Sequence, residues 1–318
     1  MKKLAVVALG GNAILREGQE GTIEEQEQNT TDTLRNLLYL IEEGYDLVIT
    51  HGNGPQVGNI LLRTDAGEQV HGLPQMPLDI CVAESQGFIG YVIERMLRNV
   101  LTENNLEKDV VTIVTQVIVN KDDPALLKPT KRIGKTYSKQ QADELSELKG
   151  WKFKKSPKTD NGWRRVVPSP MSVEIFNRKS IGSIARQGSV VIASGGGGIP
   201  VYRDENNMLR PVEAVIDKDY ASALLASRIG ADEFYILTDV PYVCINYCQP
   251  DEKTVEFLNY ADADKHLKNG QFGEGNMAPK IRAALYFIKN GGNKSVITEA
   301  TKLEDRTYGT KITMEYEK

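Results

Sequence analysis

Lys3-Leu4-Ala5-Val6-Val7-Ala8-Leu9-Gly10-Gly11-Asn12-Ala13 is the stretch on which the reading of this chain turns. Leu4 to Leu9 is an unbroken apolar run with two adjacent valines. A strand buried on both faces, as at the centre of a parallel sheet, produces that pattern. The run stops at Gly10-Gly11-Asn12, where side chains are absent or short and a ligand can approach the backbone closely. In open α/β sheets ligands bind outside the carboxyl ends of the strands, which is where this loop falls. Taken alone, a Gly-Gly pair describes only a tight turn.

Two more segments repeat the plan. Tyr45 to Thr50 is a short apolar strand that ends in His51-Gly52-Asn53-Gly54-Pro55-Gln56-Val57-Gly58. Pro55 suits the first position of a helix, and the free N–H groups of such a helix start form an anion cradle. Ser189 to Ala193 is a strand followed by Ser194-Gly195-Gly196-Gly197-Gly198-Ile199-Pro200. Strands that run parallel bring their terminal loops to one edge, where bare N–H groups from several loops can surround a phosphate.

The remaining chain alternates strands and helices. Leu34, Leu37, Leu38 and Ile41 lie at helical spacing before the stop at Gly44, and Ile89, Val92, Ile93, Met96, Leu97 and Val100 form one apolar helix face. Val110 to Val119 predicts a strand, and Val173 to Arg186 predicts a helix ended by Gly188. Ile216-Asp217-Lys218-Asp219-Tyr220 opens a helix carrying Ala221, Leu224, Leu225 and Ile229, with Asp219 where the helix dipole favours a carboxylate. A strand at Phe234–Leu237, a helix from Met277-Ala278-Pro279-Lys280 and strands at Ser295–Thr298 and Lys311–Met314 complete the series. This is the pattern of an α/β fold around a parallel sheet with helical crossovers.

Residues 120–170 break the alternation. The stretch is basic, holds five prolines and both tryptophans, Trp151 and Trp163, and has a short amphipathic helix at 138–148 and a strand signal at Arg164–Val167. Aromatic anchors point to an ordered lid subdomain rather than a linker.

Composition removes several function classes. The 318 residues are 40% hydrophobic, enough for one large α/β domain or two fused lobes, and the formal net charge of -4 gives no broad attraction to nucleic acid or anionic lipid. Cys81, Cys244 and Cys248 are odd in number and dispersed, and His51, His71 and His266 are scattered, so neither a disulfide scaffold nor a zinc site is expected and no metal-ligating residues are assigned. Met1-Lys2-Lys3 runs straight into the first strand without a cleavage motif, and no apolar run approaches membrane-spanning length, which predicts a cytoplasmic protein.

The common nucleotide and hydrolase motifs are missing. No glycine loop leads into Gly-Lys-Ser/Thr, the 52–58 loop has its last glycine one place late for a dinucleotide fingerprint, and there is no Gly-x-Ser-x-Gly elbow. Phosphoryl transfer needs cations aimed at the moving group and two reactants held in line. Lys131, Lys218 and Lys280 sit beside prolines or helix starts and are the candidates, although any one of them alone reads as a surface lysine.

At this point a resemblance becomes specific. Ala8-Leu9-Gly10-Gly11-Asn12-Ala13, the 51–58 loop, Met76-Pro77-Leu78-Asp79, Gln86-Gly87-Phe88-Ile89-Gly90-Tyr91 and Pro129-Thr130-Lys131 resemble the carbamate kinases. So do Gly162-Trp163-Arg164-Arg165-Val166-Val167-Pro168-Ser169-Pro170, the 195–200 loop, Ala214 to Asp219, Cys244-Ile245-Asn246-Tyr247 and Met277 to Lys280. The blocks follow in order along nearly the whole chain.

The resemblance implies a three-layer α/β/α sandwich around a mainly parallel central sheet, the amino-acid-kinase fold. An N-terminal lobe at 1–188 would carry the acceptor site and the lid, and a C-terminal lobe at 189–318 the nucleotide. It implies reversible phosphoryl transfer between ATP and carbamate, often run towards ATP, with Mg²⁺ accompanying the nucleotide, in a homodimer. Gly10, Gly11, Asn12, Gly52, Asn53 and Gly54 would cradle the phosphoryl group and carbamate. Lys131 would reach over the substrate from the lid, while Lys218 and Lys280 would neutralise phosphate charge and Asp219 would orient them. Gly195, Gly196, Thr238, Asp239, Tyr242, Val243, Met277 and Pro279 would bind the nucleotide together with Lys218 and Lys280.

The chain departs from the family pattern in the lid, where Arg132-Ile133-Gly134-Lys135-Thr136-Tyr137 follows Lys131 and Asp160-Asn161-Gly162-Trp163 forms a corner. Ser194 stands where the family commonly has cysteine or threonine. The lid changes leave open a kinase for another small carboxylate or phosphate acceptor. A catalytically silent nucleotide or metabolite sensor on the same fold is the reading from a different class, and retention of all three lysines argues against it.

Overall fold

The computed structural model describes residues 2–316 apart from Glu17, residues 157–161, Gly275 and Arg306. The chain opens on β1 (Leu4–Leu9), whose six residues are all buried, and a single 3-10 turn at Gly11–Ala13. α1 (Ile23–Arg35) and α2 (Leu38–Glu42) lead into β2 (Asp46–His51), and α3 (Gly54–His71) and α4 (Leu78–Glu103) into β3 (Val110–Ile113) and β4 (Gln116–Val119). The lid comprises β5 (Lys131–Tyr137), α5 (Lys139–Lys149), β6 (Lys152–Lys155) and β7 (Trp163–Val167). Next come β8 (Ser172–Ile175), α6 (Arg178–Arg186), β9 (Val190–Ala193), β10 (Ile199–Arg203) and β11 (Leu209–Pro211). α7 (Lys218–Arg228) and β12 (Glu233–Thr238) precede three short strands, β13 (Val243–Ile245), β14 (Lys253–Val255) and β15 (Phe257–Asn259). The chain closes with α8 (Tyr260–Lys268), α9 (Met277–Lys289), β16 (Lys294–Glu299) and β17 (Thr310–Thr313).

Among the described residues, eight strands form one sheet in the order β15-β17-β16-β12-β1-β2-β9-β3. All neighbours are parallel except β16 and β17. β1 is apolar at every position because successive side chains enter different cores. Leu4, Val6 and Ala8 pack with α6, α7 and α9 on one face, and Ala5, Val7 and Leu9 with α1, α2 and α4 on the other. The result is the three-layer α/β/α sandwich. β9 lies between β2 and β3, so the chain before residue 188 and the chain after it share one continuous sheet.

Two expectations fail. The strand expected over Val110–Val119 is two strands, with β3 in the main sheet and β4 in a second sheet ordered β11-β10-β4-β8. The change of sheet occurs at Val114–Thr115, where the Thr115 N–H and C=O are bonded outside the main ladder, to Gln86 and to Gln86 and Ile199 respectively. The helix expected from Val173 begins only at Arg178, because Ser172–Ile175 pairs antiparallel with β4. A short β-branched apolar run reads equally well as strand or helix, and the partner strand decides it.

The lid is a three-stranded antiparallel sheet, β5-β7-β6, with α5 packed on it. Its helix begins with a Ser138–Gln141 capping box and ends at Gly150 in the left-handed region. Ile133 and Val167 enter a separate core with Val57, Leu61, Leu78 and Val82 of α3 and α4, and Lys149 of α5 is ion-paired with Asp65 of α3. The corner at Asp160-Asn161 lies outside the described residues.

Candidate active site

Since β12, β1, β2 and β9 are parallel neighbours, their carboxyl ends share one edge. Gly10–Asn12 and Gly52–Gly54 follow β1 and β2 directly, Gly195–Gly198 follow β9 after Ser194, and Thr238 ends β12 with Asp239 just beyond it. β1 and β12 come so close beyond their last pairs that a Cβ on Gly10 would lie 2.6 Å from the Leu237 carbonyl oxygen. Only glycine fits there.

A cleft of about 150 Å³ opens at this edge, lined by Gly10, Gly11, Asn12, Lys218, Leu237, Thr238, Asp239, Asn276 and Lys280. Larger clefts exist, such as one of about 600 Å³ between Glu68 and Trp151, but the buried charges converge on the small one. Charge convergence, rather than volume, locates the site.

Those charges come from two helix starts. Asp217 caps α7, its Oδ1 accepting from the N–H groups of Asp219 at 3.1 Å and Tyr220 at 3.2 Å. Lys218 and Asp219 form the first turn. The Lys218 ammonium donates to Asp219 Oδ1 at 2.5 Å, and Lys280, from the first turn of α9, donates to Asp219 Oδ2 at 3.0 Å. Burial works to raise the Asp219 carboxyl, but the two ammonium groups outweigh it and hold it well below the usual carboxylate range. Burial likewise opposes the charge on Lys280, and Asp219 overcomes it, so its ammonium is held more firmly than usual. Lys218 is pulled down by burial against the same partner. One carboxylate shared by two ammonium groups leaves positive charge facing the cleft.

The second loop packs directly beside this cluster. A Cβ on Gly52 would lie 3.3 Å from Lys218 Cδ, so the lysine stem runs across the bare loop. Asn53 is 3% exposed and donates through Nδ2 to Ser85 Oγ at 2.9 Å. α3 starts at Gly54 with Pro55 in its first turn, as the sequence predicts. His51 is buried, and burial lowers its imidazole to about 4, the hydrogen bond to the Gly52 carbonyl opposing. A neutral ring in this position supports the loop and carries no charge to it.

Lys131 approaches from the lid, and its ammonium pairs with Asp217 Oδ2 at 2.9 Å. Thus the N-cap carboxylate of α7 serves the helix with one oxygen and the lid with the other. Gly195 and Gly196 stand behind the second loop, against His51 and Asn53 respectively, and do not line the cleft. Thr238 and Asp239 do line it, with the Thr238 hydroxyl donating to Asp239 Oδ1 at 3.1 Å. Further along, Tyr242 packs against Tyr308 in a tilted contact with ring centroids 5.0 Å apart, and the Val243 N–H donates to Thr310 Oγ1 at 2.8 Å. Met277 and Pro279, both half-buried, form the first turn of α9 with Lys280.

Sequence reasoning did not assign Asn276, Leu237 or the Lys131 partner Asp217 to the site. Asp217 was recognisable only as a residue beside a helix start, a signal for a cap rather than for a partner in the lid.

The sequence matches the amino acid kinase family over residues 3–299. Carbamate kinase of Pyrococcus horikoshii is 45% identical over 317 residues, covering 98% of this chain and 100% of the relative. The chain belongs to the carbamate kinase family. Carbamate kinase of Staphylococcus haemolyticus is 46% identical over 94% of each chain. Among solved structures, carbamate kinase from Giardia lamblia bound to AMP-PNP is 39% identical, covers 98% of both chains and superposes with a TM-score of 0.89.

Proposed function

We propose that this chain catalyses reversible phosphoryl transfer between ATP and carbamate, a reaction that its family often runs from carbamoyl phosphate and ADP towards ATP. The observation that carries the reading is the Lys218–Asp219–Lys280 cluster facing the cleft at the glycine loops. Its kinship with carbamate kinases along the whole chain names the acceptor.

In the direction of ATP synthesis, a β-phosphate oxygen of ADP attacks the phosphorus of carbamoyl phosphate. The bond from phosphorus to the carbamate oxygen breaks, and carbamate departs as an oxyanion. No proton has to move at the reacting atoms, so the site has no use for a general base, and the neutral, buried His51 is consistent with that. Positioning and electrostatics do the catalysis. The N–H groups of Gly10–Asn12, Asn53 and Gly54 cradle the moving phosphoryl group and carbamate, while Gly52, its N–H given to the Leu9 carbonyl at 3.3 Å, contributes the bare Cα that Lys218 crosses. Lys218 and Lys280 neutralise the charge that spreads over its oxygens, Asp219 holds both lysines in place, and Lys131 reaches over the acceptor from the lid. Thr238, Asp239, Tyr242, Val243, Met277 and Pro279 provide the nucleotide side, with Gly195 and Gly196 backing the acceptor loop from behind.

Mg²⁺ fits this site as an ion carried mainly by phosphate oxygens. Among the described residues no three His, Cys, Asp or Glu side chains are grouped to hold a metal, while the exposed carboxylate of Asp239 at the cleft offers one ligand. When bound, Mg²⁺ neutralises charge on the nucleotide phosphates.

We also propose a homodimer in the cytoplasm. Ile80, Glu84, Gly87 and Tyr91 form an exposed stripe along α4 suited to a second copy, and no helix among the described residues is long and apolar enough to cross a membrane.

Mixing the protein with ADP, carbamoyl phosphate and Mg²⁺ and following ATP by luciferase tests the activity. ATP formation abolished by a chelator is the expected result. Background ATP with intact nucleotide binding would instead favour a sensor, and ATP from acetyl phosphate alone would favour another acceptor.

A further inference from the structure

Gln86 lies on the buried face of α4, 2% exposed, and is absent from the set of residues that face the cleft. Its amide is nonetheless used at both ends. Nε2 donates to the Gly195 carbonyl at 2.8 Å and to the Thr115 carbonyl at 3.1 Å, while Oε1 accepts the Thr115 N–H at 2.8 Å. Thr115 is where the chain leaves the main sheet, so its backbone groups need a partner outside the ladder. Its Oγ1 in turn accepts the N–H of Ser194 at 3.0 Å. Gln86 and Thr115 together therefore hold residues 194 and 195, the entry to the third glycine loop.

That loop needs holding. Ser194 has φ of 52°, and Gly196, Gly197 and Gly198 have φ of 64°, 90° and 102°, a run of backbone outside the ordinary regions. It presses on the second loop. A Cβ on Gly195 would lie 2.4 Å from His51 Nε2, and one on Gly196 would lie 2.2 Å from Asn53 Nδ2. Asn53 is thus gripped from two sides by neighbouring residues of one helix. Ser85 takes its amide directly at 2.9 Å, and Gln86 acts on it through Gly195 and Gly196.

We propose that Gln86 is a positioning residue for the transfer reaction, fixing the third glycine loop so that Asn53 and the N–H groups of the second loop stand in register with the acceptor. The proposal rests on the reading of the second loop as the acceptor cradle. An apolar side chain at position 86 leaves the Thr115 N–H buried without a partner and strips the Gly195 carbonyl of one of its two donors, the Gly198 N–H at 3.0 Å being the other, so the loop relaxes. The nucleotide side, built on β12 and α9, is untouched.

The test compares full-length wild type, Gln86→Met and Ile89→Val, the last a core truncation about one turn further along the same face of α4. In the ADP and carbamoyl phosphate assay, Gln86→Met is expected to lose about 10²-fold in kcat, as misplacement of a reacting group does. Its KM for ADP stays within about twofold of wild type, because nucleotide binding is not what was removed. Hydrogen exchange at the amides of residues 194–198 speeds up in Gln86→Met and not in Ile89→Val. Unchanged kcat, or a loss of the same size in Ile89→Val, would make Gln86 a packing residue and overturn the proposal. Should Gln86→Met fail to fold, Gln86→Glu keeps the acceptor for the Thr115 N–H and loses both donors. Wild-type kinetics in Gln86→Glu overturn the proposal as well. Absence of ATP formation by the wild type counts against the kinase reading alone, since loop exchange in the variants still reads the clamp.

Discussion

Lys131 and Asp217, 86 positions apart in the chain, meet at 2.9 Å and join the lid to the first turn of α7. Burial works to raise the Asp217 carboxyl, but the Lys131 ammonium outweighs it and holds the group below its ordinary value. Both side chains keep about a third of their surface in solvent, so the pair is a point of contact for the lid more than a source of stability. The lysine is thereby placed over the edge where the glycine loops end.

Replacing Lys131 should therefore damage catalysis. Lys131→Ala is expected to lower kcat/KM for carbamoyl phosphate by about 10²-fold, the cost of one preorganised charge donor. Lys135 gives the comparison, since it is exposed with its ammonium 5.2 Å from the centre of the Tyr137 ring. Lys135→Ala is expected to leave turnover near wild type. Steady-state kinetics on the two variants decide it, and the opposite order of sensitivity would mean that Lys131 is not the substrate-facing residue of β5.

Lys218→Ala should lose turnover by roughly 10²–10³-fold for the same physical reason, in a more buried setting. Its side chain is 14% exposed and crosses Gly52, so the variant also leaves space beside the second loop. Equilibrium ADP binding, measured by calorimetry, separates lost chemistry from lost affinity. Wild-type turnover would reduce the lysine to a helix-start residue with a structural ion pair.

The glycine loops were legible in the sequence because each is a local signal, an apolar strand followed at once by residues with no side chain. Lys131, Lys218 and Lys280 were legible as candidates, but their roles rested on resemblance, since nothing local distinguishes a buried lysine from an exposed one. What brings Lys218 and Lys280 onto Asp219 is the packing of α7 against α9, a contact between segments 61 residues apart. Gln86 stands out in the sequence only as part of a motif, because a polar residue on an apolar helix face shows no partner until the fold supplies Thr115 and Gly195. Val173–Ile175 reads as helix in the sequence for a similar reason, its strand partner lying in β4.

His51 predicts a pH dependence. Its imidazole falls to about 4 in the fold, from about 6.5 in an unfolded chain, so the fold favours the neutral ring. The stabilisation is complete above about pH 6.5 and is lost as the pH falls towards 4, where the unfolded chain binds a proton that the folded one refuses. The shift corresponds to about 3 kcal/mol at most. The expected observation is a melting temperature that declines between pH 6.5 and 4, with a shallower decline in His51→Gln. Equal slopes in the two proteins would assign the acid sensitivity to other groups.

Gly58 offers a test of how the lid is seated. A Cβ there would lie 2.0 Å from the Gly134 Cα and 2.4 Å from its N, both backbone atoms with no side chain to give way. Gly134 itself has φ of 67°, so the close approach uses a glycine on each side, one for space and one for conformation. Within α3 alone, alanine would be the better helix former by about 1 kcal/mol. Against that stands the cost of overpacking, typically about 1–3 kcal/mol, which the molecule can avoid only by lifting β5 off α3. Lifting it uncovers Ile133 and Val167, which pack with Val57 and Leu61, and carries Lys131 away from Asp217. Gly58→Ala should thus leave the melting of the main sheet nearly unchanged while lowering kcat/KM for carbamoyl phosphate by about tenfold or more. Hydrogen exchange at the amides of β5 should quicken in parallel. A variant with wild-type exchange in β5 and wild-type turnover would show that the lid tolerates the extra methyl and that its seat on α3 does not govern the position of Lys131.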